Sequence, residues 1–286
     1  MIKKTLIVFS IIFGGYTALM VLKPNLNASQ HQWQENQIKA ENYIYGNSSK
    51  LNKVIVGSSL SCRLVMQELP GFYNLALNGQ SIFDGLDIIK QKSTLPKTVF
   101  IETNVIWRPE RKDFANDLFS PITYYSKKYI PSLRNNKQPL ALTRNYYNKI
   151  SGFISRKTGA NPIPAKAPVN HLFGKTLEDN KLRYTKFSPE DLEEQFTVLK
   201  ADIEYLKQKG TQVIFYEMPV NPQIKNAPLA QLIRKKLAAY FPESEYSYIK
   251  LPANSAVVTT DGLHLDPKEA MVYTNYFKEE ALHKTN

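Results

Sequence analysis

Two short stretches of the chain carry residue types suited to acyl transfer. Val54-Ile55-Val56-Gly57-Ser58-Ser59-Leu60 sets two serines just past an apolar run, and Asp261-Gly262-Leu263-His264 sets a carboxylate three residues before an imidazole. A serine hydroxyl attacks an ester only as its proton leaves. Imidazole can take that proton, and a carboxylate on the far ring nitrogen fixes the tautomer and stabilises the imidazolium. Either stretch alone is common, since small residues abound in turns. Their value depends on whether a fold brings them together.

The elements around them alternate. Lys53–Val56, Phe72–Leu77, Thr98–Glu102, Gln212–Met218 and Tyr246–Leu251 read as strands. Between them, Leu60–Glu68 can be helical before Pro70-Gly71 breaks it. Ser81 can cap a helix whose Ile82, Leu86 and Ile89 share one face. Ser188-Pro189 opens a helix with acidic residues in its first turn and a stripe of Leu192, Phe196, Leu199, Ile203 and Leu206, closed by Gly210. Ala227–Phe241 reads as a further helix, and Asp266-Pro267 starts the last one. This alternation predicts an α/β fold, a three-layer α/β/α sandwich with a mostly parallel five-stranded sheet. Catalytic groups in such sheets collect at the carboxyl ends of strands. Ser59, Asn78-Gly79, Asn104 and the Asp261–His264 loop all follow predicted strands and could share one edge.

The chain has 286 residues, a net charge of +12 and one cysteine, Cys62. No intramolecular disulfide can form, and Cys62 is expected as a small apolar side chain rather than a nucleophile. Residues 107–186 hold 16 Lys/Arg against 5 Asp/Glu, a net of +11, so nearly all the excess charge sits in one central insert at about 106–187. At the start, Lys3 and Lys4 precede an uncharged apolar run, Thr5 to Leu22, closed by Lys23-Pro24. Eighteen residues rising ~1.5 Å each approach the thickness of a hydrocarbon core. A cleaved signal peptide would have a shorter apolar core and a small-x-small site, and only a weak one ends at Ala28, so residues 1–24 are expected as a cytoplasmic start plus an uncleaved anchor. The two lysines favour a cytoplasmic N-terminus in the bacterial inner membrane, with the remainder in the periplasm or outside. Residues 25–50, polar with Trp33, Tyr43 and Tyr45, read as a spacer, in part helical, and residues 51–286 as the catalytic domain.

The blocks Gly57-Ser58-Ser59-Leu60, Asn78-Gly79, Glu102-Thr103-Asn104 and Asp261-Gly262-Leu263-His264 resemble, in order and spacing, the four blocks of the SGNH (GDSL-like) hydrolase superfamily. The resemblance covers roughly residues 52–104 and 211–270. It implies Ser59 as nucleophile in preference to Ser58, since the nucleophile stands third in that block, with His264 as base and Asp261 as its orienting partner. It also implies the Ser59 amide, the Gly79 amide and the Asn104 carboxamide as oxyanion-hole donors. Two blocks depart from the usual pattern: Gly-Asp-Ser reads Gly57-Ser58-Ser59, and Gly-x-Asn-Asp reads Glu102-Thr103-Asn104-Val105. A Gly-Ser-Ser turn on a single-pass anchor is similar to the branch of alginate and peptidoglycan O-acetyltransferases and the teichoic acid D-alanyl transfer protein. That implies an acyltransferase or esterase, acetyl first, acting on an envelope or exported polysaccharide. For transfer it further implies a multi-pass membrane protein delivering the acyl donor.

The insert mixes Trp107, Tyr124, Tyr125, Tyr129, Tyr146 and Tyr147 with Arg108, Arg111, Lys112, Lys127, Lys128, Arg134, Arg144 and Lys149. Aromatic faces stack on sugars and guanidinium groups pair with carboxylates, so Trp107, Arg108, Arg111, Tyr124 and Tyr125 are candidates for holding an anionic glycan. The alternative for this segment is an amphipathic cap lying on an anionic membrane surface. Nucleic acid is not expected outside the membrane, and Pro162 to Pro168 reads as a loop. Glu102 is open between a buried ion-pair partner and a substrate contact. His31 and His283 each stand one helical turn from a glutamate but lack a third ligand, and His171 has no such neighbour, so no metal is expected. Without a Gly-rich phosphate loop, no nucleotide cofactor is expected. The loosened blocks leave one rival from another class, a non-catalytic scaffold that binds polymer or an export partner.

Overall fold

The computed structural model describes residues 2–22, 32–46, 52–138, 173–252 and 257–285. The chain divides into two compact units, one of Met1–Gly46 with Asp113–Ala165, the other of Asn47–Lys112 with Lys166–Asn286.

The second unit is built on five parallel strands: β1 (Lys53–Val56), β2 (Phe72–Asn74), β3 (Thr98–Glu102), β4 (Gln212–Tyr216) and β5 (Ser247–Ile249), in the order β2-β1-β3-β4-β5. Val54 and Val56 of β1 pair with Val99 and Ile101 of β3, whose Glu102 pairs with Tyr216 of β4. β3 is buried along its whole length, as strands covered on both faces must be. From β1 the chain passes to β2 on one side and then to β3 on the other. In sheets of this kind such a reversal is the place where ligands bind, outside the carboxyl ends of the strands.

The helices that cover this sheet start where the local chemistry says they should. Helix α3 (Ile82–Lys90) has a full capping box, with Ser81 and Asp84 bonded reciprocally. Downstream come α6 (Phe173–Arg183), α7 (Pro189–Gln208), the short α8 (Pro222–Lys225), α9 (Pro228–Tyr240) and α10 (Pro267–Thr285). Ser188 Oγ accepts from the Asp191 amide to cap α7, and Asp266 accepts from the Lys268 and Glu269 amides to cap α10. Helix α3 packs on β1 and α7, and α7 packs on β4 and α9. Phe277 of α10 meets the rings of Phe72, Phe100 and Tyr216, spanning β2, β3 and β4.

Three strands are shorter than expected. β2 ends at Asn74, although Leu75 and Leu77 still donate to Ile55 and Gly57. β4 ends at Tyr216 and β5 spans only three residues. The expected helix Leu60–Glu68 is replaced by two separate 3₁₀ turns, Ser61–Arg63 and Met66–Glu68. Tertiary bonds take its donors: Ser61 N donates to Glu102, and Val65 N donates to Thr274 Oγ1. With those amides turned to partners far along the chain, the i→i−4 ladder does not form.

The first unit contains α1 (Ile2–Leu22), α2 (Gln32–Tyr45), α4 (Lys112–Phe119, which begins on the last residue of the other unit) and α5 (Pro121–Tyr129). Helix α1 is long and apolar enough to cross a membrane, and no residue of its apolar window is buried. The stretch expected as a polar spacer holds α2, which buries Asn36, Ala40, Glu41, Tyr43 and Ile44. Glu41 accepts from Lys127 Nζ at 2.6 Å and from the Asn135 amide and carboxamide at 2.8 and 2.7 Å. Trp33 packs edge-on against Phe114. A buried carboxylate met by a cation and two amide donors is tolerated; an unpartnered one is not.

Candidate active site

The turn after β1 is held from below by Glu102, at the end of β3. Glu102 is fully buried. Its Oε2 accepts from Ser58 N at 2.9 Å and Ser61 N at 3.2 Å, its Oε1 accepts from Ser58 Oγ at 2.8 Å, and Ser61 Oγ donates to Oε2 as well. Because Ser61 spends its proton on Glu102, Tyr216 must donate its own to Ser61 Oγ. Burial, and secondarily the charge of Glu102, push the Tyr216 hydroxyl far up from its ordinary pKa, so that proton is present at neutral pH. Among the described residues no cation meets Glu102. Four hydrogen-bond donors carry its charge instead, at a cost in desolvation that only complete satisfaction offsets. The arrangement also explains Gly57: a Cβ there would sit 2.6 Å from Glu102 Oε2 and 2.5 Å from Ser61 Oγ.

This network separates the two serines. Ser58 is buried and bonded to Glu102, whereas Ser59 projects the other way, its Oγ 2.8 Å from His264 Nε2. His264 Nδ1 lies 2.6 Å from Asp261 Oδ2. Asp261 Oδ1 also accepts from the Leu263 and His264 amides at 3.0 and 2.8 Å, so one carboxylate both closes the turn and faces the ring. Nδ1 carries the proton toward Asp261, which leaves the Nε2 lone pair for the serine hydroxyl. Burial alone would raise the Asp261 carboxyl. The bonds from the His264 side chain and amide, its charge and the Leu263 amide outweigh it and bring the group down to about 2.

The loop carrying this pair is anchored on several sides. Thr260 N donates to His264 O, Asn221 N to Gly262 O, and Asn180 Nδ2 to Asp261 O. Gly262 has φ +91°, and a Cβ on it would lie 2.6 Å from Leu177.

Ser59 and His264 share a cavity of about 300 Å³ with Cys62, Arg63 and Asn78. Gly79, beside Asn78, takes φ +71°, open to glycine and costly for other residues. Among the described residues, neither the Ser59 nor the Gly79 amide meets an acceptor, which leaves both as donors toward the cavity. Asn104 departs from expectation. Its Nδ2 donates to Met218 O at 2.9 Å and its Oδ1 accepts from Met218 N at 2.7 Å, and it lines a separate crevice with Tyr184 and Glu217. Its side chain ties the end of β3 to the segment after β4; one Nδ2 hydrogen is left over.

The five residues expected to grip substrate are divided between the units. Arg108 donates to Gln80 O and lies over the Trp107 ring, and the Arg111 amide donates to Asp84. Tyr124 and Tyr125 sit on α5 in the other unit, edge-on to each other. Tyr146, Tyr147, Arg144, Lys149, Pro162–Pro168 and His171 lie outside the described residues. Cys62 is part-buried, with its thiol turned to Ala76 O. Asn78, expected at this edge with Gly79, lines the cavity; Arg63 was not singled out from the sequence, and its nearness to Ser59 was the available signal. A second cavity of about 290 Å³, near the ends of β4 and β5, holds Glu217 and Arg234, but these are bonded to each other and no nucleophile–base pair accompanies them. No group of three or more His, Cys, Asp or Glu able to hold a metal occurs among the described residues.

No protein-family model matches the chain, and no curated protein matches it. Among solved structures it is similar to a Streptococcus pneumonia protein provisionally named a platelet activating factor. The identity is 13% and the TM-score 0.44, over 94% of this chain and 98% of that one.

Proposed function

We propose that this protein is a membrane-anchored serine acyltransferase or esterase acting outside the bacterial inner membrane, with an envelope or exported polysaccharide as acceptor or substrate and acetyl as the acyl group. The observation that carries the reading is the bonded row Ser59 Oγ, His264 Nε2, His264 Nδ1, Asp261 Oδ2, with separations of 2.8 and 2.6 Å. The four blocks that resemble the SGNH pattern supply the family context, and the apolar α1 supplies the anchor.

In this reading His264 takes the Ser59 proton as Oγ attacks the acyl carbon. The negative charge that develops on the carbonyl oxygen meets the Ser59 and Gly79 amides; losing one such donor costs about 10²–10³ in rate in comparable sites. The imidazolium then protonates the departing alkoxide, leaving an ester on Ser59. In the second half His264 removes a proton from a sugar hydroxyl or from water, the new oxygen attacks the Ser59 ester, and the proton returns to Ser59 Oγ. Asp261 stabilises the imidazolium in both halves. The polar cavity with Arg63 at its rim suits a small acyl group attached to a polar, anionic chain rather than a long lipid. For transfer, the donor is delivered by a multi-pass membrane partner.

Incubating the full chain in detergent with 4-nitrophenyl acetate, with and without an acidic polysaccharide, tests this. Acetate mapped to Ser59 by peptide mass analysis is expected. New sugar acetyl esters at the expense of free acetate identify a transferase, and acetate alone identifies an esterase. A chain that releases no nitrophenol and carries no acetyl on Ser59 contradicts the reading.

A further inference from the structure

The first unit leaves an apolar stripe uncovered. On α5, Ile122, Tyr125 and Tyr129 fall at i, i+3 and i+7 on one face and are 86%, 53% and 71% exposed. Tyr125 and Tyr129 stack in parallel, and Lys128 lies beside the stripe with its ammonium 5.6 Å from the Tyr129 ring. The helix has no acidic residue. Just past it, the 3₁₀ turn Pro131–Leu133 packs on α1, where Ser132 Oγ bonds Thr17 Oγ1 at 2.9 Å. Thr17 is five residues from the end of α1 at Leu22, about 7–8 Å along the axis. If α1 spans a bilayer, that depth is the border between hydrocarbon and head groups, where tyrosines and snorkelling lysines are stable.

We propose that α5 is an interfacial helix that docks its Ile122–Tyr125–Tyr129 face onto the anionic lipid surface of the membrane that α1 enters. The inference rests on α1 as a membrane span and on nothing about the Ser59 site. Two features favour lipid over a protein partner. The stripe is continuous, through the Pro131–Leu133 turn, with a helix already long and apolar enough for a bilayer. Of the two lysines on α5, Lys127 is turned to Glu41 and Lys128 flanks the stripe among aromatic rings, the composition of a membrane-surface helix.

The test uses the full chain with Cys62→Ser, carrying one environment-sensitive fluorophore at Ile122→Cys or at Val8→Cys, reconstituted in phosphatidylglycerol–phosphatidylcholine vesicles. Residue 122 is exposed, so the label does not disturb folding. The expected result is loss of emission at both positions when the lipids carry bromine on their acyl chains. Emission at 122 should also resist aqueous iodide, and its bromolipid quenching should fall when phosphatidylglycerol is omitted or Lys128→Glu is introduced. Quenching by bromolipid at 8 but only by iodide at 122 overturns the docking while leaving the anchor intact. Loss of both bromolipid signals overturns the span itself, and the docking with it. Protection from iodide without bromolipid quenching at 122 replaces lipid by a second copy of the chain. Quenching at 122 unaffected by phosphatidylglycerol content and by Lys128→Glu overturns the anionic preference.

Discussion

Glu102 and Asp261 each stand one hydrogen-bonded step from a group of the candidate site, and they are solvated in opposite ways. Glu102 is fully buried, meets only neutral N–H and O–H donors, and shapes the turn that presents Ser59. Asp261 is about one-fifth exposed, meets an imidazole, and shapes that ring's tautomer. A carboxylate whose partner changes charge during a reaction needs some solvent and a held proton. One that only fixes backbone can be sealed, provided every oxygen is satisfied. The difference predicts that Asp261 acts chiefly on rate, with a stability contribution that acid removes, while Glu102 acts strongly on both.

The largest effect expected is from the nucleophile itself. Ser59→Ala should reduce ester turnover by about 10⁴-fold or more, whereas Ser58→Ala should retain labelling at Ser59 with a loss of stability, because Ser58 donates to Glu102. Turnover of 4-nitrophenyl acetate and thermal unfolding separate these outcomes. Next comes Asp261→Asn, which leaves the ring in the wrong tautomer. A fall of up to ~10⁴ in kcat is expected from the same substitution in other serine triads, with a smaller fall in the unfolding midpoint at neutral pH. Glu102→Gln should act on both axes. The Ser58 and Ser61 amides both bond Oε2, so a glutamine oxygen there keeps them while its NH2 replaces Oε1 and leaves the buried Ser58 hydroxyl without its acceptor, at a cost of about 1–3 kcal/mol. Its measured signature is a lower urea midpoint together with slower Ser59 acylation. A Glu102→Gln chain as stable as the original would break the comparison.

The smallest effect concerns pH. Asp261 is brought down to about 2 in the folded chain, below the ordinary value of 3.8. A depressed carboxylate contributes stability that is fully present above its unfolded pKa and is lost as pH falls through the folded one. That contribution is therefore complete above about pH 4 and fades toward pH 2. In Asp261→Asn the acid unfolding curve should flatten over that window, leaving the variant less stable than the original chain above about pH 4 and level with it near pH 2. A change confined to pH 5–8 would contradict the assignment.

These residues also show where the chain was readable. Alternation and caps located all five strands to within a few residues, as well as the helix starts at Ser81, Ser188 and Asp266, because each depends on neighbours within one turn. Asp261 and His264 were legible for the same reason, being three apart on one loop. Ser59 was separable from Ser58 only through resemblance, and the physical reason is non-local: Ser58 answers to Glu102, 44 residues away. The same carboxylate diverts the Ser61 amide, so good local helix propensity over Leu60–Glu68 yields two 3₁₀ turns. Asn104 was expected to face the oxyanion and is instead paired with Met218, a partner 114 residues on. Polar α2 resembled a spacer because its buried charge is balanced by Lys127 and Asn135 from the distant insert.

The most direct test of the account is intact-mass labelling of the full chain with a fluorophosphonate, which reacts with an activated serine. One adduct is expected in the original chain and in Ser58→Ala, and none in Ser59→Ala or His264→Ala. An adduct that persists in Ser59→Ala, or no adduct in a folded original chain, would contradict an activated Ser59.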